Sequence, residues 1–430
     1  MATDPTAPAP PTAVSGIERD LRTIVVVQGL RAFLYGFGSI LIGSVLATAG
    51  LSDARVGLVF TAMLAGMALT SIGVGLRGNR IRRRRLYTFL LLAMGASGAV
   101  YAVTTWFPAL VLAALTGTLS TDPNESGPIT SLEQSMIGES EPAARLRVFG
   151  RYNAVAYLAG SFGSLAAGGP SAFRHLFPAL PANRWFLMAF PLIAVACAAV
   201  SRRLSPAVEP APAEGAPLAR SSLHRSRRAV TRLSALFAMD AFGGGFVVQA
   251  FLVFWFHRKF GAGPELMGLV FFGAGVLQAA SSIAAARLGA RIGLLNTMVF
   301  THLPSNVLLA AVPFAPTLAT AIVLLLARFA LSQMDVPTRQ AYVVAMVEPD
   351  ERVAAAAYTN TARYAVRPLG PVAAGALMQH VALAGPFLAA GGVKILYDLV
   401  LYRLFRRAQP PGPPAPGPTS PGPARDAGPA

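Results

Sequence analysis

Three polar side chains lie on one helical stripe near residue 363, and their chemistry suits an anion. Asn360, Arg363 and Arg367 are spaced as i, i+3 and i+7 in an otherwise apolar stretch. Two arginines one helical turn apart repel each other unless an anion lies between them. Candidates are a substrate carboxylate or phosphate, or a protein carboxylate such as Glu133 or Asp335. A structural role at a gate is the alternative, and Arg328 is a further candidate for the same site.

Two other segments combine polar residues with proline in a way that an uninterrupted helix does not tolerate. The first covers residues 116–134, contains two prolines and ends near Glu133. The second covers residues 335–340, where Asp335 and Arg339 are four residues apart and can pair on one helix face. Interrupted helices in a membrane line protein or water and often form binding sites. The alternative is that the first segment is a loop and that the second lies at a cytoplasmic gate.

The sequence repeats itself at an offset of 207 to 211 residues. Gly57-Leu58-Val59-Phe60 recurs letter for letter as Gly268-Leu269-Val270-Phe271, and Asn153 has its counterpart in Asn360. Both copies are apolar. Two similar apolar halves in one chain are typical of secondary transporters, whose substrate site lies between the repeats.

The same repeat places Arg31 and Asp240 at equivalent positions, each followed by Ala-Phe. Ionised groups within a membrane need a partner or a water-filled cavity. These opposite charges predict an ion pair that forms in one conformation and opens in another, with protonation of the aspartate releasing the arginine. A static pair, or an aspartate near the membrane interface, is the alternative. Tyr35 belongs to an aromatic stretch around Arg31 that suits an amphipathic substrate, unless the rings serve ordinary packing. On the last apolar stretch, Lys394 and Asp398 are expected to satisfy each other.

The composition is that of a membrane protein. Hydrophobic residues make up 54% of the chain and charged residues 13%, whereas soluble domains carry about 25% charged residues. The net charge of +17 is densest between residues 77 and 85, where a cytoplasmic loop should be positive, so it does not indicate nucleic-acid binding. No His/Cys/Asp spacing fits a metal and no Gly-rich loop with a lysine fits a nucleotide. We therefore expect neither an enzyme nor a cofactor, and an ion or solute gradient as the energy source.

Apolar stretches of about 20 residues predict twelve membrane-spanning helices in two six-helix halves. The predicted spans are 21–48, 55–76, 86–104, 108–137, 146–169, 185–202, 231–256, 265–288, 293–313, 317–346, 353–379 and 384–405. The predicted domains are an N-terminal segment 1–20, a first bundle 21–202, a linker 203–230, a second bundle 231–407 and a disordered Pro-rich tail 408–430. The alternation of positive charge from loop to loop places both termini in the cytoplasm.

The duplicated halves, the twelve spans and a basic loop after the second span of each half resemble the major facilitator superfamily. The loop motif of that family, Gly-x-Leu-small-Asp-Arg-x-Gly-Arg-Arg/Lys, is similar to residues 75–84 and 286–293. The motif positions that we single out are Gly78, Asn79, Arg80, Gly289, Arg291 and Gly293. Asn79 and Ala290 replace the aspartate that helps to latch the cytoplasmic side in the family. The resemblance therefore implies another latch here, through Glu139, Glu141 or lipid phosphates.

The resemblance implies an all-α membrane fold of two pseudo-symmetric six-helix bundles that rock about a midplane site. That site would be touched by the first, fourth, seventh and tenth spans. We expect a monomeric secondary transporter in the cell membrane, coupled to protons through Asp240 or Glu133. The residues expected on the substrate or ion pathway are Arg31, Tyr35, Glu133, Asp240, Arg328, Asp335, Arg339, Asn360, Arg363 and Arg367.

The substrate class has two candidates. The excess of arginines within apolar stretches leans toward a small organic anion or an amphipathic metabolite. Proton-driven efflux of lipophilic compounds is the alternative, favoured by the aromatic first and seventh spans. It is weakened because Ser164 stands where the glycine-rich fifth span of drug exporters has proline. A sensor or scaffold that keeps the fold without transporting is an alternative of another class.

Overall fold

The computed structural model of the protein consists of helices, and no strand occurs among the residues that it describes. The described residues are 11–77, 82–123, 127–138, 142–174, 176–179, 181–209, 223–348 and 351–407. Within them, eight helices are long and apolar enough to cross a membrane. The predicted N-terminal segment before residue 11, the middle of the predicted linker and the predicted tail lie outside the described residues.

The first half of the chain consists of helices joined by loops, and two of its predicted spans are broken, between α4 and α5 and between α6 and α7. Its elements are α1 (Pro11–Thr48), α2 (Asp53–Arg77), α3 (Arg83–Val103), α4 (Phe107–Leu115), α5 (Pro128–Gly138), α6 (Pro142–Ala166), α7 (Gly169–Arg174), a 3₁₀-helix (Asn183–Met188) and α8 (Ala189–Ser201). Helix α1 begins at Pro11, ahead of the predicted start at residue 21, and proline is tolerated in the first turn of a helix. Each predicted span of this half contains one helix or two consecutive helices.

The second half has the same order of elements. They are α9 (Arg227–Gly245), α10 (Gln249–Phe260), α11 (Pro264–Ile292), α12 (Leu294–Ala311), α13 (Leu318–Ser332), α14 (Asp335–Ala345), α15 (Arg352–Val366), α16 (Leu369–His380) and α17 (Gly385–Phe405). The predicted seventh, tenth and eleventh spans are each divided into two helices, at residues 246–248, 333–334 and 367–368. The repeat in the sequence is thus a repeat in helix order.

Glycines shared by the two repeats let helices approach closely at equivalent places. A Cβ atom on Gly36 of α1 would lie 1.9 Å from the carbonyl oxygen of Gly160 on α6. A Cβ atom on Gly245, at the end of α9, would lie 2.3 Å from the carbonyl oxygen of Arg367. Small residues at such crossings allow the backbones to touch, which is how helices associate without a hydrophobic driving force in lipid.

The two halves meet at the end of the molecule that carries the α1–α2 and α10–α11 connections, which we call the closed end. There the Thr61 hydroxyl donates to the Pro368 carbonyl at 2.8 Å, and the Ala54 amide donates to the Gln379 side chain at 3.1 Å. Arg258 pairs with Asp53 at 3.4 Å. We call the opposite end, where α8 ends and α9 begins, the linker end.

Both described ends of the linker are held by carboxylates at the linker end. Glu209 accepts a hydrogen bond from the Arg83 amide at the start of α3, at 2.6 Å. Glu351 accepts from the backbone amides of His224, Arg225 and Ser226, just before α9. The Ser226 side chain and these amides stabilise the carboxylate, which lowers the pKa of Glu351 to about 2.

Candidate functional site

The predicted fourth span is interrupted, and most of the described residues between its two helices are buried. Helix α4 ends at Leu115 and α5 begins at Pro128. Gly117 has a φ of +69°, and a Cβ atom there would lie 2.3 Å from the Gly66 carbonyl oxygen, so glycine is required on both counts. A backbone carbonyl without a helical partner accepts a hydrogen bond from another helix: the Tyr35 hydroxyl on α1 donates to the Thr118 carbonyl at 2.8 Å. The interrupted-helix interpretation of this segment is confirmed.

A cavity of about 460 Å³ lies between the interrupted fourth span and the second half. Most of its lining comes from α9, α13, α14 and α15, and most lining side chains are polar or charged. The predicted pathway residues on this cavity are Asp240, Arg328, Asp335, Arg339, Asn360, Arg363 and Arg367. The first half contributes Asp122, Gln134 and Tyr157. Seven of the ten predicted residues are therefore brought together in one place.

Asp240 is the carboxylate at the centre of the charged wall of this cavity. Its Oδ1 lies 2.5 Å from Lys394 Nζ, and its Oδ2 lies 3.3 Å from Arg339 Nη1. Arg339 also pairs with Asp335 at 2.7 Å, one helical turn away on α14, as the sequence predicts. All four side chains are almost completely buried, so each charge is satisfied by a neighbour rather than by bulk water.

Two arginines on the cavity retain unused hydrogen-bonding capacity. The Nε atoms of Arg328 and Arg363 are buried and find no hydrogen-bond partner among the described residues. The guanidinium of Arg328 lies 4.9 Å from the centre of the Phe329 ring, an apolar neighbour that offers no carboxylate. The charged residues of the lining are Arg328, Arg339, Arg363, Arg367 and Lys394 against Asp122, Asp240 and Asp335. Positive charge is therefore in excess in the cavity.

Arg31 does not pair with Asp240 in this structure, so a pair between these symmetry-equivalent positions in another conformation stays a prediction. Arg31 instead binds Glu133 on α5 at 2.6 Å. The hydroxyls of Tyr87 and Tyr152 donate to the same carboxylate at 2.6 Å and 2.5 Å. In each half, the charged residue of the first helix pairs within its own bundle: Arg31 with Glu133 in the first half, and Asp240 with Arg339 in the second. These partners are closer than the equivalent residue of the other half.

Arg31, Tyr35 and Glu133 lie behind the cavity rather than on its described lining. Arg31 and Glu133 are at most 2% exposed, and the Tyr35 ring packs 5.2 Å from the Arg31 guanidinium. Their assignment to a substrate or ion pathway stays a prediction that this conformation does not display.

The expected pair between Lys394 and Asp398 is wrong. Lys394 reaches Asp240 on α9, whereas Asp398 accepts hydrogen bonds from His302 at 2.8 Å and from Asn306 at 2.9 Å, both on α12. Residues four apart on a helix can pair, but α17 packs against α9 and α12, which offer each side chain a better-placed partner. Asn153 differs from its counterpart Asn360: it is exposed on α6 and does not line the described cavity.

The basic-loop motif is described in the second half alone. Gly78, Asn79 and Arg80 lie outside the described residues, as do Glu139 and Glu141. In the second half Gly293, with a φ of +86°, makes the turn from α11 to α12. Arg291 is exposed in the last turn of α11, where a positive charge is favoured by the helix dipole.

Sequence reasoning missed His302, Lys394 and Asp122 as cavity residues. His302 and Lys394 belong to the predicted ninth and twelfth spans, from which no pathway residue was predicted. The available signal was that both are ionisable residues within apolar stretches, which are functional candidates by default. Within the described ranges, no group of three or more His, Cys, Asp and Glu side chains could hold a metal ion.

Comparisons with known proteins agree on the fold. Residues 233–427 match the family profile of the Major Facilitator Superfamily. An uncharacterized membrane protein of Saccharomyces cerevisiae is 23% identical over 424 residues, which cover 90% of this chain and 94% of that protein. Among solved structures, a bacterial homologue of the human lysosomal transporter Spinster, in an inward-facing and unoccupied conformation, has a TM-score of 0.70 at 14% identity, covering 95% of this chain and 100% of that one.

The nucleoside transporter NupG has a TM-score of 0.69 at 12% identity, covering 90% of this chain and 99% of that one. Likeness at this level of identity concerns the fold. The second half matches the profile of the Major Facilitator Superfamily, and this multi-pass membrane protein shares the fold of these two solved transporters along almost its whole length.

Proposed function

We propose that the protein is a monomeric secondary transporter that moves a small organic anion across the cell membrane by alternating access. The cavity between the halves is the substrate site, and it opens and closes as one bundle rocks against the other. Its volume of about 460 Å³ is within the range of small-molecule sites. The predicted division into bundles 21–202 and 231–407 supplies the two moving parts.

The observation that carries the anion assignment is the pair of unused Nε donors on Arg328 and Arg363. A buried guanidinium group whose donors are not all satisfied is destabilising, and the planar fork of arginine donors matches carboxylate and phosphate oxygens. An anion between these side chains would offset the excess positive charge of the cavity. Arg367 and Asn360, on the same helix region as Arg363, are the neighbouring candidates for further contacts.

The charge distribution supports a cytoplasmic location for the linker end. Arg82, Arg84, Arg202 and Arg203 cluster there, as loops on the cytoplasmic side should. The halves are in contact at the closed end, so the cavity of the described conformation would face the cytoplasm, as the inward-facing Spinster homologue does. Both termini would then be cytoplasmic.

Proton coupling through the charged wall belongs to the same proposal. Asp240 is held by Lys394 and Arg339, so neutralising Asp240 would free both cations for a substrate anion. Glu133 is the less favoured proton carrier, because it is 0% exposed and lies behind the cavity.

The experiment that tests the proposal is a ligand-binding screen by thermal stabilisation of the purified protein. Small carboxylates such as succinate and benzoate are compared with lipophilic cations such as tetraphenylphosphonium. Binding to the folded state raises the melting temperature with ligand concentration. We expect a carboxylate to stabilise the protein. In Arg363→Gln its binding affinity should fall at least about tenfold, because one charge-assisted contact is lost.

The matched control is Arg22→Gln, since Arg22 is 83% exposed and outside the cavity. This variant should bind as the unchanged protein does. Stabilisation by many lipophilic cations, with no effect of Arg363→Gln, would contradict the anion assignment and favour efflux of lipophilic compounds. Phe33 and Phe37, which suggested that alternative, stack on each other at 6.4 Å and do not belong to the described cavity lining.

A further inference from the structure

Asp398 on α17 lies close to Asp240 and His302, and no lysine or arginine among the described residues is within ion-pair distance of it. Asp398 is 1% exposed, and its described partners are His302 Nδ1 at 2.8 Å and Asn306 Nδ2 at 2.9 Å. Asp240, by contrast, is in contact with Lys394 and Arg339. A buried ionised carboxylate whose partners are all neutral raises the free energy of the folded state. A proton shared between Asp398 and His302 removes this unfavourable contribution, whether it resides on the carboxylate or on the ring.

We infer that His302 and Asp398 form a proton-binding site that is separate from Asp240, placed one side chain behind the proposed anion site. His302 is also part of the cavity lining, so water in the cavity can exchange the proton. Imidazole is the side chain best suited to gain and lose a proton near neutral pH. The histidine thus connects a buried carboxylate to solvent.

His302 also connects this site to the wall of the cavity. Its Nε2 atom lies 3.7 Å from Asp240 Oδ1, the oxygen that binds Lys394. A protonated ring gives Asp240 another cationic neighbour, which weakens its hold on Lys394 and Arg339. Those cations can then attract an anion in the cavity. Because such coupling is reciprocal, a bound anion also favours the proton, and the two move in the same direction.

Charged and titratable groups face His302 and Asp398 from every helix packed around them. They are Asp240 on α9, Asp335 and Arg339 on α14, Arg328 on α13, which packs against α12, and Lys394 and Tyr397 on α17. The carboxylates favour the protonated ring and the cations oppose it. The ring of Tyr397 is edge-on to His302 at 5.8 Å and fixes its orientation.

The test is an NMR titration of the full-length protein in lipid nanodiscs, labelled with ¹³C-histidine and free of substrate. We expect the chemical shift of the ring signal that is missing in His302→Gln to change with pH, as the signal of a ring that gains and loses a proton does. In Asp398→Asn the proton affinity of this ring should fall at least about tenfold, since the adjacent carboxylate no longer stabilises the cation. His380→Gln is the control, because His380 is exposed at the end of α16 and should leave the His302 titration unchanged.

A His302 signal that does not change with pH, or that titrates identically in Asp398→Asn, overturns the inference. If Asp398→Asn does not fold, Asn306→Asp decides instead. Asn306 Nδ2 lies 3.1 Å from His302 Nδ1, so a second carboxylate there should raise the proton affinity of the ring. No change in that variant counts against the site.

The coupling to an anion rests on the proposed function, whereas the proton site does not. Adding succinate should raise the proton affinity of His302 if both are correct. If His302 titrates as expected but no carboxylate binds in the thermal screen, the proposed anion function fails and the proton site stands. If succinate stabilises the protein but the His302 ring signal does not change with pH, the proton site fails and the anion function stands.

Discussion

The two halves of the protein each carry a buried ion pair between the first and fourth predicted spans, with the charges exchanged. In the first half Arg31 on α1 binds Glu133 on α5, and in the second half Asp240 on α9 binds Arg339 on α14. The first pair is sealed by tyrosine hydroxyls, whereas the second lies on a cavity. The same architecture has therefore produced one enclosed cluster and one that water can reach.

The difference follows from what surrounds each pair. Glu133 receives hydrogen bonds from Tyr87 and Tyr152 as well as from Arg31, so its oxygens are saturated within the bundle. Asp240 shares Arg339 with Asp335 and lies on the cavity, where Arg328 and Arg363 have unused Nε donors. The Nε of Arg31 also lacks a described partner, but Arg31 is not on the lining of this cavity. A saturated buried network rigidifies a structure, while an incompletely satisfied one can exchange partners. The first half is thus suited to support and the second to binding.

The largest effect that we predict is on the enclosed pair. Arg31→Met leaves Glu133 buried without a countercharge and should lower the free energy of unfolding by about 3–5 kcal/mol. Denaturation in mixed detergent and SDS micelles measures this loss. The double variant with Glu133→Gln should recover part of it, and exposed Arg22→Met should lose nothing. A loss below about 1 kcal/mol would mean that the cluster is not sealed.

A smaller loss of stability is expected on the cavity side. Asp240→Asn removes the charge between Lys394 and Arg339, but water in the cavity can solvate both cations. The same denaturation assay should show a loss of about 1–3 kcal/mol, the range for hydrogen bonds to charged groups. If Asp240→Asn costs more than Arg31→Met, the contrast between a wet and a sealed cluster is wrong.

The stability loss caused by each variant should also depend differently on salt concentration, which is a smaller effect than the losses themselves. Ions enter an open cavity, where they screen charges over about 8 Å at physiological ionic strength. The cost of Asp240→Asn should therefore change between low and high NaCl, because this cluster borders the cavity even though its side chains are buried. The cost of Arg31→Met should stay constant in the same series. Equal salt dependence in both variants would remove the distinction.

The smallest effect concerns the carboxylate that ties the start of α9. The pKa of Glu351 is lowered to about 2 in the folded protein, below the usual value of about 4.3. Its stabilisation is therefore complete above about pH 4.3 and is lost as the pH falls toward 2. The difference in melting temperature between the unchanged protein and Glu351→Gln should shrink from pH 6 to pH 3. A difference that persists at low pH, or that also appears in the nearby control Glu348→Gln, would contradict this tie.

Much of the fold was predictable because a membrane imposes simple rules on a sequence. Apolar length, the duplicated glycines and the prolines near residues 123 and 128 located helices and a break that the structure contains. The pairing of Asp335 with Arg339 was predictable because four residues separate them on one helix. The partner of Arg31 in this conformation, by contrast, was not predicted, since symmetry in sequence does not measure distance across the molecule.

By itself the sequence determined the membrane class, the two-fold repeat, the helix order and the presence of costly ionisable groups within apolar helices. These properties depend on composition and on spacing along one chain. Tertiary structure alone decided that Glu133 neutralises Arg31, that Lys394 reaches Asp240, and that His302 joins Asp398 to the cavity. Electrostatic partners are chosen by distances of a few ångströms between helices far apart in sequence, and only packing sets those distances.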